Sequence, residues 1–418
     1  MSPQSNWAGN HVYQAERIVT PSSVDELREV VAIHRRVRPI GSRHSFTALP
    51  DTHGVLVATS GLPVEVEIDS GHRTVIVSGG ASYGRVAREL HRQGWALANL
   101  ASLPHISVAG AVATGTHGSG DGNQCLAAAV RSLEVVGADG ELRRMGRGEA
   151  DLDGSVVALG CLGVVVRLEL DIEPTFELRQ DVYVDLPWDV FLEDPAAVTG
   201  AGYSVSLFTD WAGDRVDQVW LKSRVDAAPP EVLGGARRAG TPLHMLRGGL
   251  VDAVTEQQGV PGPWHERLPH FRLEFTPSHG EELQSEYLLP RARLASAVDG
   301  LRRLAPRLAP VLQVSEIRTV AADRLWLSGA YGEDTVGLHF TWRRDPERVE
   351  ELLPVIEELL LPLGARPHWG KCFVASGADL AAAFARLPDF LALRERHDPE
   401  QKFFNAFLGR AFGVEVRA

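Results

Sequence analysis

The feature that most constrains this chain is a stretch of small residues, ISVAGAVATGTHGSG at 106–120, in which His117 is the only large polar side chain. Small residues let the backbone approach a ligand closely, and successive backbone N–H groups can form a concavity that binds a pyrophosphate. The stretch lacks the GxxxxGK[ST] pattern of triphosphate-hydrolysing enzymes, and no GxGxxG follows a first strand as a Rossmann domain requires. Composition alone leaves two interpretations open, a nucleotide cradle and a tightly packed structural loop.

A second constrained segment is the turn GSRHSF at 41–46, which follows a short apolar run at 37–40. The spacing of Ser23 and Glu26 predicts a capped helix that leads into this strand. The pattern therefore places His44 on a tight turn directly after a strand. Without other information, a local structural role explains a lone histidine on such a turn more readily than a binding role does.

Helix-like and strand-like patterns are mixed along the chain, which predicts an α+β protein. Asp139-Gly140, inside VRSLEVVGADGELRRM, is a hairpin signal. Beyond Pro174 the chain alternates long Pro/Gly/Ala-rich connections with strand-like pieces, YSVSLFTDW, HFRLEFTP and GLHFTWR. Two amphipathic helices are predicted there as well, in RARLASAVDGLRRLAP and PERVEELLPVIEELLLPLG. The closing helical segment is expected to dock back on the first part of the chain.

Composition excludes several classes of protein. The chain has 418 residues, 44% of them hydrophobic, which fits a soluble protein of more than one domain. Its formal charge of -12 and the lack of a basic stripe with interleaved aromatics argue against nucleic acid as a partner. We find no signal segment and no run of some twenty apolar residues, so no membrane association is expected and the cytoplasm is the default location.

Cysteine usage and motif content argue against a metalloenzyme or a hydrolase. The three cysteines are odd in number and widely spaced, so they form neither a disulfide framework nor a zinc site. The chain contains no HExxH motif and no GxSxG elbow. No metal is therefore expected.

Two short runs in the second half place polar side chains on one face of a strand. Glu316 and Arg318 in EIRT are two residues apart, and so are His339 and Thr341 in HFT, so each pair projects from one face. Burying such groups costs several kcal/mol unless they are paired or face a ligand. The runs indicate either a polar binding site or a solvated face that carries an ordinary surface ion pair.

Several motifs together carry a resemblance to a known family: GSRHSF, NLASLPHISVAGAVATGTHGSG, GCLGVVV, EIRTVAAD, HFTW, HWGK and DPEQKFFNAF. They resemble those of the vanillyl-alcohol-oxidase-type (PCMH-type) flavoproteins, specifically the alditol oxidases, and the likeness runs nearly end to end. HWGK also occurs in sugar-lactone oxidases, whereas ASLPHIS, SVSLFTDW and GVPGPWHERLPHFRLEFTPS are particular to the alditol branch. The resemblance implies a two-subdomain FAD-binding domain, made of residues 1–175 and completed by 375–418, with an antiparallel-sheet-plus-helices substrate cap at 176–374.

The resemblance also assigns the cofactor site. In this family the histidine of the G-S-x-H-S turn is bonded covalently to FAD, which implies that His44 tethers the cofactor, and neutral imidazole is a suitable nucleophile near pH 7. Many relatives carry Gly where Arg43 stands, so a positive φ there would strain this arginine. Each further residue placed along the FAD is equally compatible with a turn or packing role; they are Gly41, Ser42, Arg43, Ser45, Ser102, Ser107, Gly110, Thr114, Gly115, His117, Gly118, Ser119, Val164 and Asn405.

The substrate site follows from the same likeness. Lys371 of HWGK and Ser102 of ASLPH join Glu316, Arg318, His339 and Thr341 as the residues that bind a polyol. The implied reaction is oxidation of the terminal CH2OH of an alditol such as xylitol or sorbitol, with O2 as acceptor and hydrogen peroxide as product. Arg318 and Lys371 would stabilise a developing alkoxide, and either His339 or a neutral lysine would take the proton.

Two rival functions stay open within the resemblance. Oxidation of an aldonolactone is the nearer one, because lactone oxidases share HWGK and the flavin loops. The other is a protein that binds FAD without catalysing a reaction. That rival predicts damage among the polar substrate residues, all of which are present: Glu316, Arg318, His339 and Lys371.

Overall fold

The computed structural model describes residues 4–275 and 280–417. Its helices are α1 (Val24–Ile33), α2 (Tyr83–Arg92), α3 (Val108–Ala113), α4 (Leu152–Ser155), α5 (Trp188–Glu193), α6 (Pro195–Thr199), α7 (Leu294–Leu308), α8 (Pro346–Leu360), α9 (Ala378–Ala383), α10 (Leu387–His397) and α11 (Ala406–Phe412). Within these described ranges no helix has the length and apolar character needed to cross a bilayer.

The first part of the chain contributes two main sheets. Its strands are β1 (Arg17–Val19), β2 (Val37–Ile40), β3 (Val55–Ala58), β4 (Val66–Asp69), β5 (Thr74–Ser78), β6 (Trp95–Ala96), β7 (Val130–Val136), β8 (Leu142–Gly146), β9 (Val164–Asp171) and β10 (Glu173–Pro174). β1, β3 and β2 form a parallel sheet in that order, and β4-β5-β9-β7-β8 form an antiparallel sheet. The predicted hairpin is confirmed, since β7 pairs with β8 across a turn in which Gly140 has φ +80°.

The middle of the chain forms one large antiparallel sheet. Its strands are β11 (Glu177–Pro187), β12 (Ser204–Thr209), β13 (Arg215–Arg224), β14 (Val232–Leu233), β15 (Ala236–Arg238), β16 (Gly262–Pro263), β17 (Glu282–Pro290), β18 (Leu312–Val320), β19 (Thr335–Arg343) and β20 (Arg366–Pro367). The order is β14-β15-β11-β13-β12-β18-β19-β17-β20, and β16 pairs with β11. With the helices and the two smaller sheets, this architecture confirms the predicted α+β class.

The two faces of this large sheet have different environments because side chains alternate along each strand. On one face Ile317, Leu338 and Phe340 join a buried apolar cluster that also holds residues of α7 and α8. Their strand neighbours point to the opposite face, and among them are the predicted polar residues of EIRT and HFT. That opposite face borders the cavity described below.

The C-terminal helices pack on the first part of the chain. Leu380, Phe390 and Leu408 belong to the same buried cluster as Val75 and Val77 of β5. The side-chain amide of Asn405 donates to the backbone carbonyls of residues 48, 49 and 51, while its oxygen accepts from the N–H of Leu408 and caps α11.

One predicted strand is wrong over its described part. HFRLEFTP, at 270–277, forms only an isolated bridge, between Phe271 and Val254, followed by a turn, and its last two residues lie outside the described ranges. The physical reason is that the backbone N–H groups of His270 and Phe271 both donate to the carbonyl of Ser102, so no ladder partner is available to them.

Candidate active site

A large cavity, with a volume of about 630 Å³, lies between the 41–46 turn with α3 on one side and the polar face of the large sheet on the other. The cavity is lined both by predicted cofactor residues and by predicted substrate residues. Ten of the predicted cofactor residues line it: Gly41, Ser42, Arg43, His44, Ser45, Ser102, Ser107, Gly110, Thr114 and His117. All six predicted substrate residues line it too: Ser102, Glu316, Arg318, His339, Thr341 and Lys371.

The first wall is built by the close approach of two backbone segments. Ser42 and Ser107 exchange hydrogen bonds, each backbone N–H donating to the other's hydroxyl at 3.3 Å. A Cβ on Gly41 would lie 2.0 Å from the Ser107 Oγ, and one on Gly110 would lie 2.7 Å from the same atom. Small residues are therefore required here, and they leave backbone groups open to a ligand.

Arg43 adopts the strained conformation that the turn was expected to impose. Its φ is +60°, in the left-handed region that glycine favours. Its carbonyl accepts a hydrogen bond from the N–H of Trp7 at 2.8 Å. The turn is thus fixed from outside by the N-terminal segment, which holds the next residue, His44, in one orientation.

His44 presents a neutral imidazole to the cavity. Its ring stacks on Trp7, with centroids 4.7 Å apart and planes 20° from parallel. Burial lowers the pKa of His44 to about 4, so the ring is uncharged at neutral pH. The buried Nδ1 has no hydrogen-bond partner among the described residues. A buried nitrogen left without a partner is costly, which fits a group that a bound cofactor would engage.

The structure does not bring five predicted cofactor residues to the cavity. Gly118 packs against Asn99, and the hydroxyls of Ser119 and Ser204 of β12 form a hydrogen bond of 2.6 Å. Val164 lies in the apolar core of the first part of the chain. Gly115 sits in a turn with φ +66°, and the amide of Asn405 is fully used in capping α11 and holding the 48–51 loop. None of these five residues lines the cavity.

The second wall is a row of charged groups across three strands. Glu286 of β17, His339 of β19 and Glu316 of β18 are direct cross-strand neighbours. Lys371, which follows β20, reaches this row with its Nζ 2.6 Å from the Glu286 Oε2. Arg318 donates from Nη2 to the Glu286 Oε1 at 2.7 Å. A buried carboxylate thus holds both predicted cations.

Glu286 is ionised despite its burial. It is 2% exposed, and desolvation opposes its charge. The charges of Lys371 and Arg318, together with His117 at 3.3 Å, nevertheless hold the pKa of Glu286 well below its usual range. Removing either cation would leave part of this charge uncompensated, which is among the costliest changes in a protein interior.

Lys371 and His339 form a coupled pair. The lysine Nζ lies 2.6 Å from the His339 Nδ1, and the His339 Nε2 lies 3.1 Å from the Thr341 Oγ1. Burial, and then the charge of Lys371, lower the pKa of His339 to about 4. Burial also lowers the pKa of Lys371, although Glu286 opposes that shift. A neutral histidine that accepts from the lysine would donate its Nε2–H to Thr341.

Glu316 is held between two partners. Its Oε1 lies 2.8 Å from the His270 Nε2, and its Oε2 lies 3.5 Å from the Arg318 Nε. Burial opposes ionisation, but Arg318 and His270 lower the pKa of Glu316 below its usual range. Arg318 also donates from Nη1 to the Ser102 hydroxyl at 3.3 Å, which links this wall to the cofactor side.

Sequence reasoning missed three residues of this network, Glu286, His270 and Lys222. A signal for Glu286 was present, because Glu282, Gln284 and Glu286 alternate along β17 and project from one face. His270 lines the cavity, whereas Lys222 lies behind it. No local sequence pattern pointed to His270. For Lys222 the only signal was that lysine is rare in this chain.

Comparisons with known proteins agree with this geometry. A family model described as an FAD binding domain matches residues 15–146, and one described as D-arabinono-1,4-lactone oxidase matches residues 280–411. The chain is 50% identical over 407 residues to an alditol oxidase of a Streptomyces species, covering 97% of each chain. It is 30% identical over 437 residues to an L-gulono-1,4-lactone dehydrogenase of Mycobacterium tuberculosis, covering 99% of this chain and all of the other.

The fold is also that of a solved structure with little sequence identity. Cholesterol oxidase from B. sterolicum superposes with a TM-score of 0.77 at 15% identity, over 97% of this chain and 95% of that one. The residues present fit FAD, because the first wall offers a glycine cradle and an unpartnered imidazole nitrogen in a cavity of sufficient size.

Proposed function

This chain belongs to the vanillyl-alcohol-oxidase-type family of FAD-linked oxidases, and we propose on that premise that it oxidises the terminal C1 hydroxyl of alditols such as xylitol and sorbitol to the aldose. One observation carries the proposal. The six predicted substrate residues, drawn from distant parts of the sequence, line one cavity opposite the small-residue wall. A wall of charged donors and acceptors suits a ligand whose every hydroxyl both donates and accepts.

Bound FAD would supply two-electron redox chemistry in this cavity, with O2 as the proposed final acceptor and hydrogen peroxide as the product. The 41–46 turn and the N-terminal end of α3 would hold the cofactor through backbone N–H groups and the hydroxyls of Ser42 and Ser107. The unpartnered Nδ1 and neutral ring of His44 support the proposal that this residue forms the covalent link.

The charged wall would orient the polyol and stabilise the alkoxide. Glu316 accepts a hydrogen bond from one substrate hydroxyl, and Thr341 and Ser102 bind others. Arg318 places a cation where the reacting oxygen loses its proton, in a buried site where such electrostatic stabilisation is strong, and Lys371 adds a second cation once it has taken that proton. Glu286 holds these cations in place, so they need no reorganisation during the reaction.

The proton of the reacting hydroxyl would pass to the Lys371–His339 pair. The two groups lie 2.6 Å apart and titrate as one unit, so the proton belongs to the pair and not to either member. Burial lowers the pKa of Lys371, which increases its neutral fraction near the working pH. Glu286 then accepts from the resulting ammonium.

Oxidation of an aldonolactone is a second candidate function. The match of residues 280–411 to the D-arabinono-1,4-lactone oxidase model favours it, because that segment contains most of the charged wall. An aldonolactone also offers several hydroxyls to the same groups. The 50% identity to an alditol oxidase favours the open-chain substrate over the lactone.

One experiment separates these functions. The flavin absorbance of the purified holoenzyme is recorded anaerobically after adding xylitol, sorbitol or an aldonolactone to separate samples. Bleaching by the alditols and not by the lactone supports the proposed function. Bleaching by the lactone alone would replace it with the second candidate, and a protein that takes up no FAD would overturn both.

The covalent link has a separate test. His44→Ala should abolish the flavin fluorescence that stays with the denatured protein on a gel, while wild type retains it. His53→Ala is a matched control, because His53 is an exposed histidine in the same part of the chain. Fluorescence that persists in His44→Ala would contradict the assignment of His44 as the attachment point.

A further inference from the structure

Lysine is almost absent from this chain, and its few occurrences are informative. Of 42 basic residues only three are lysines, Lys222, Lys371 and Lys402, and the remainder are arginines. Lys371 belongs to the charged wall. Lys222 is 1% exposed, lies in β13 and does not line the cavity. A buried ammonium in a chain that otherwise uses arginine needs a specific explanation.

The Lys222 ammonium is fully satisfied by three acceptors. Its Nζ donates to the backbone carbonyl of Leu268, to that of Pro269 at 3.2 Å, and to the Nδ1 of His270 at 3.3 Å. An ammonium has three N–H groups and no lone pair, so each donor has one acceptor. The charged lysine therefore holds the 268–270 segment in place. It also fixes the His270 Nδ1 as a hydrogen-bond acceptor.

The contacts of His270 with Lys222 and with Glu316 together favour one of its two nitrogens as the one that carries the proton. Because Nδ1 accepts from the ammonium, the hydrogen of the neutral ring lies on Nε2, which is 2.8 Å from the Glu316 Oε1. Burial lowers the pKa of His270 to about 4, so the ring is neutral at pH 7. Edge contacts with Phe208 and Trp220, at centroid distances of 5.6 and 5.3 Å, keep the ring from turning.

We propose that Lys222 and His270 are positioning residues, which hold the carboxylate of Glu316 in the orientation that binds a substrate hydroxyl. The proposal deepens the proposed function and rests on it. His270 donates to one carboxylate oxygen, leaving the other oxygen, beside Arg318, as the acceptor for the polyol. In the opposite tautomer the Nε2 lone pair would face the carboxylate lone pairs and repel them.

The arrangement also predicts a pH dependence. Burial lowers the pKa of Lys222 to about 7, with Glu316 raising it and Arg318 lowering it further. The groups that face this lysine are His270 from the 268–270 segment and Glu316 and Arg318 from β18. As pH rises through about 7, the lysine loses its charge and no longer fixes the His270 tautomer. Substrate affinity should therefore fall on the alkaline side.

The test measures the reductive half-reaction of the holoenzyme with xylitol in anaerobic stopped flow. Lys222→Met should raise the xylitol Kd about tenfold and change the limiting rate of flavin reduction less than about threefold, because Glu316 binds the ground and transition states alike. The Kd should rise between pH 6 and 9 in wild type and rise less steeply in Lys222→Met, in which Lys371 still titrates. An unchanged Kd, or a parallel pH profile in both proteins, would overturn the proposal.

A matched control and a second pair of variants keep the result interpretable. Thr255 donates to the Pro269 carbonyl at 2.8 Å, so Thr255→Val weakens the same segment without touching the His270 ring. Its Kd should stay within about twofold of wild type, and an equal rise would assign the effect to the segment as a whole.

If Lys222→Met fails to fold, His270→Gln, which keeps a donor, should bind xylitol more tightly than His270→Phe.

Nitrogen NMR of labelled histidine gives a readout that needs no substrate. The His270 signals, assigned by their loss in His270→Phe, should show the Nε2–H tautomer in wild type and a mixture in Lys222→Met. An Nδ1–H tautomer in wild type would overturn the positioning proposal alone. A wild-type protein that xylitol fails to bleach would overturn the proposed function alone.

Discussion

The two walls of the cavity are built in different ways. The wall formed by the 41–46 turn and α3 consists of small residues, backbone groups and one neutral histidine. Its shape depends on the absence of a side chain at Gly41 and Gly110. The opposite wall uses ionised side chains that hold one another in place around Glu286. The first wall should therefore be sensitive to added volume and the second to lost charge.

This difference places the two tasks of the enzyme in separate structural layers. A wall of closely packed backbone segments suits a resident cofactor. The opposite wall is a network of titratable side chains, and its pKa shifts support the proposal that this side of the site carries the chemistry.

Loss of a cation from the charged wall should have the largest effect. Lys371→Met removes the partner of Glu286 and His339, and the rate of flavin reduction by xylitol should fall about 10²- to 10³-fold. FAD content should stay near that of wild type. Lys402→Met makes the same chemical change far from the cavity, where the lysine donates to the carbonyl of Val31. Equal loss of rate and of FAD would contradict the division between the walls.

Added volume in the first wall should act on the cofactor. Gly41→Ala places a Cβ 2.0 Å from the Ser107 Oγ and 3.1 Å from its Cβ, so the two segments must separate. We expect the flavin-to-protein absorbance ratio to fall about tenfold, because the added methyl group overpacks the cradle. Gly122→Ala is the control, since its Cβ would meet no atom within 4 Å. A similar ratio in both variants would show that the cradle tolerates the methyl group.

Lowering the pH should destabilise the folded protein at pH values at which the buried cavity histidines are still neutral. Burial lowers the pKa of four histidines to about 4, while unfolded histidines titrate near 6.5; the four are His44, His265, His270 and His339. Between these values the unfolded chain binds more protons, so stability falls as pH decreases. The Tm should fall from pH 7 to pH 5, and less steeply in His265→Gln, which lies outside the cavity. A constant Tm would contradict the neutral state of these rings.

The smallest effect should come from the one hydroxyl that connects the walls. Ser102→Ala removes the hydroxyl that accepts from the Arg318 Nη1 at 3.3 Å, which is a long hydrogen bond. The effect should be small because the guanidinium keeps Glu286 and Glu316 as partners. We expect the xylitol Kd to rise about threefold, with FAD content unchanged. A loss comparable to that of Lys371→Met would assign Ser102 a catalytic role.

The sequence was sufficient to predict the polar face but not its partners across the sheet. Period-two spacing placed Glu316 with Arg318, and His339 with Thr341, because alternation along a strand is a local property. Which strands adjoin β18 and β19 is decided by topology and register, so the alternation within β17 could not show that Glu286 lies opposite His339. His270 and Glu316 meet across 46 residues, a contact that no local pattern encodes.

The small-residue stretch shows the same limit on the other wall. Its composition correctly indicated close backbone packing, and the positive φ of Arg43 matched the expected strain. Which of its residues face the cavity depends on how the chain turns after α3. Thr114 and His117 line the cavity, whereas Gly118 and Ser119 turn away toward Asn99 and Ser204. Tertiary packing determined that choice.

The scarcity of lysine gives this protein an unusual spectroscopic advantage. Labelling only the lysine side chains with ¹⁵N would produce three ammonium signals from a chain of 418 residues, and Lys402→Met would remove the one remote from the site. The two that remain report on Lys222 and Lys371 separately. The ionisation of Lys371 in the cavity wall and of Lys222 behind it could thus be followed individually while substrate is present.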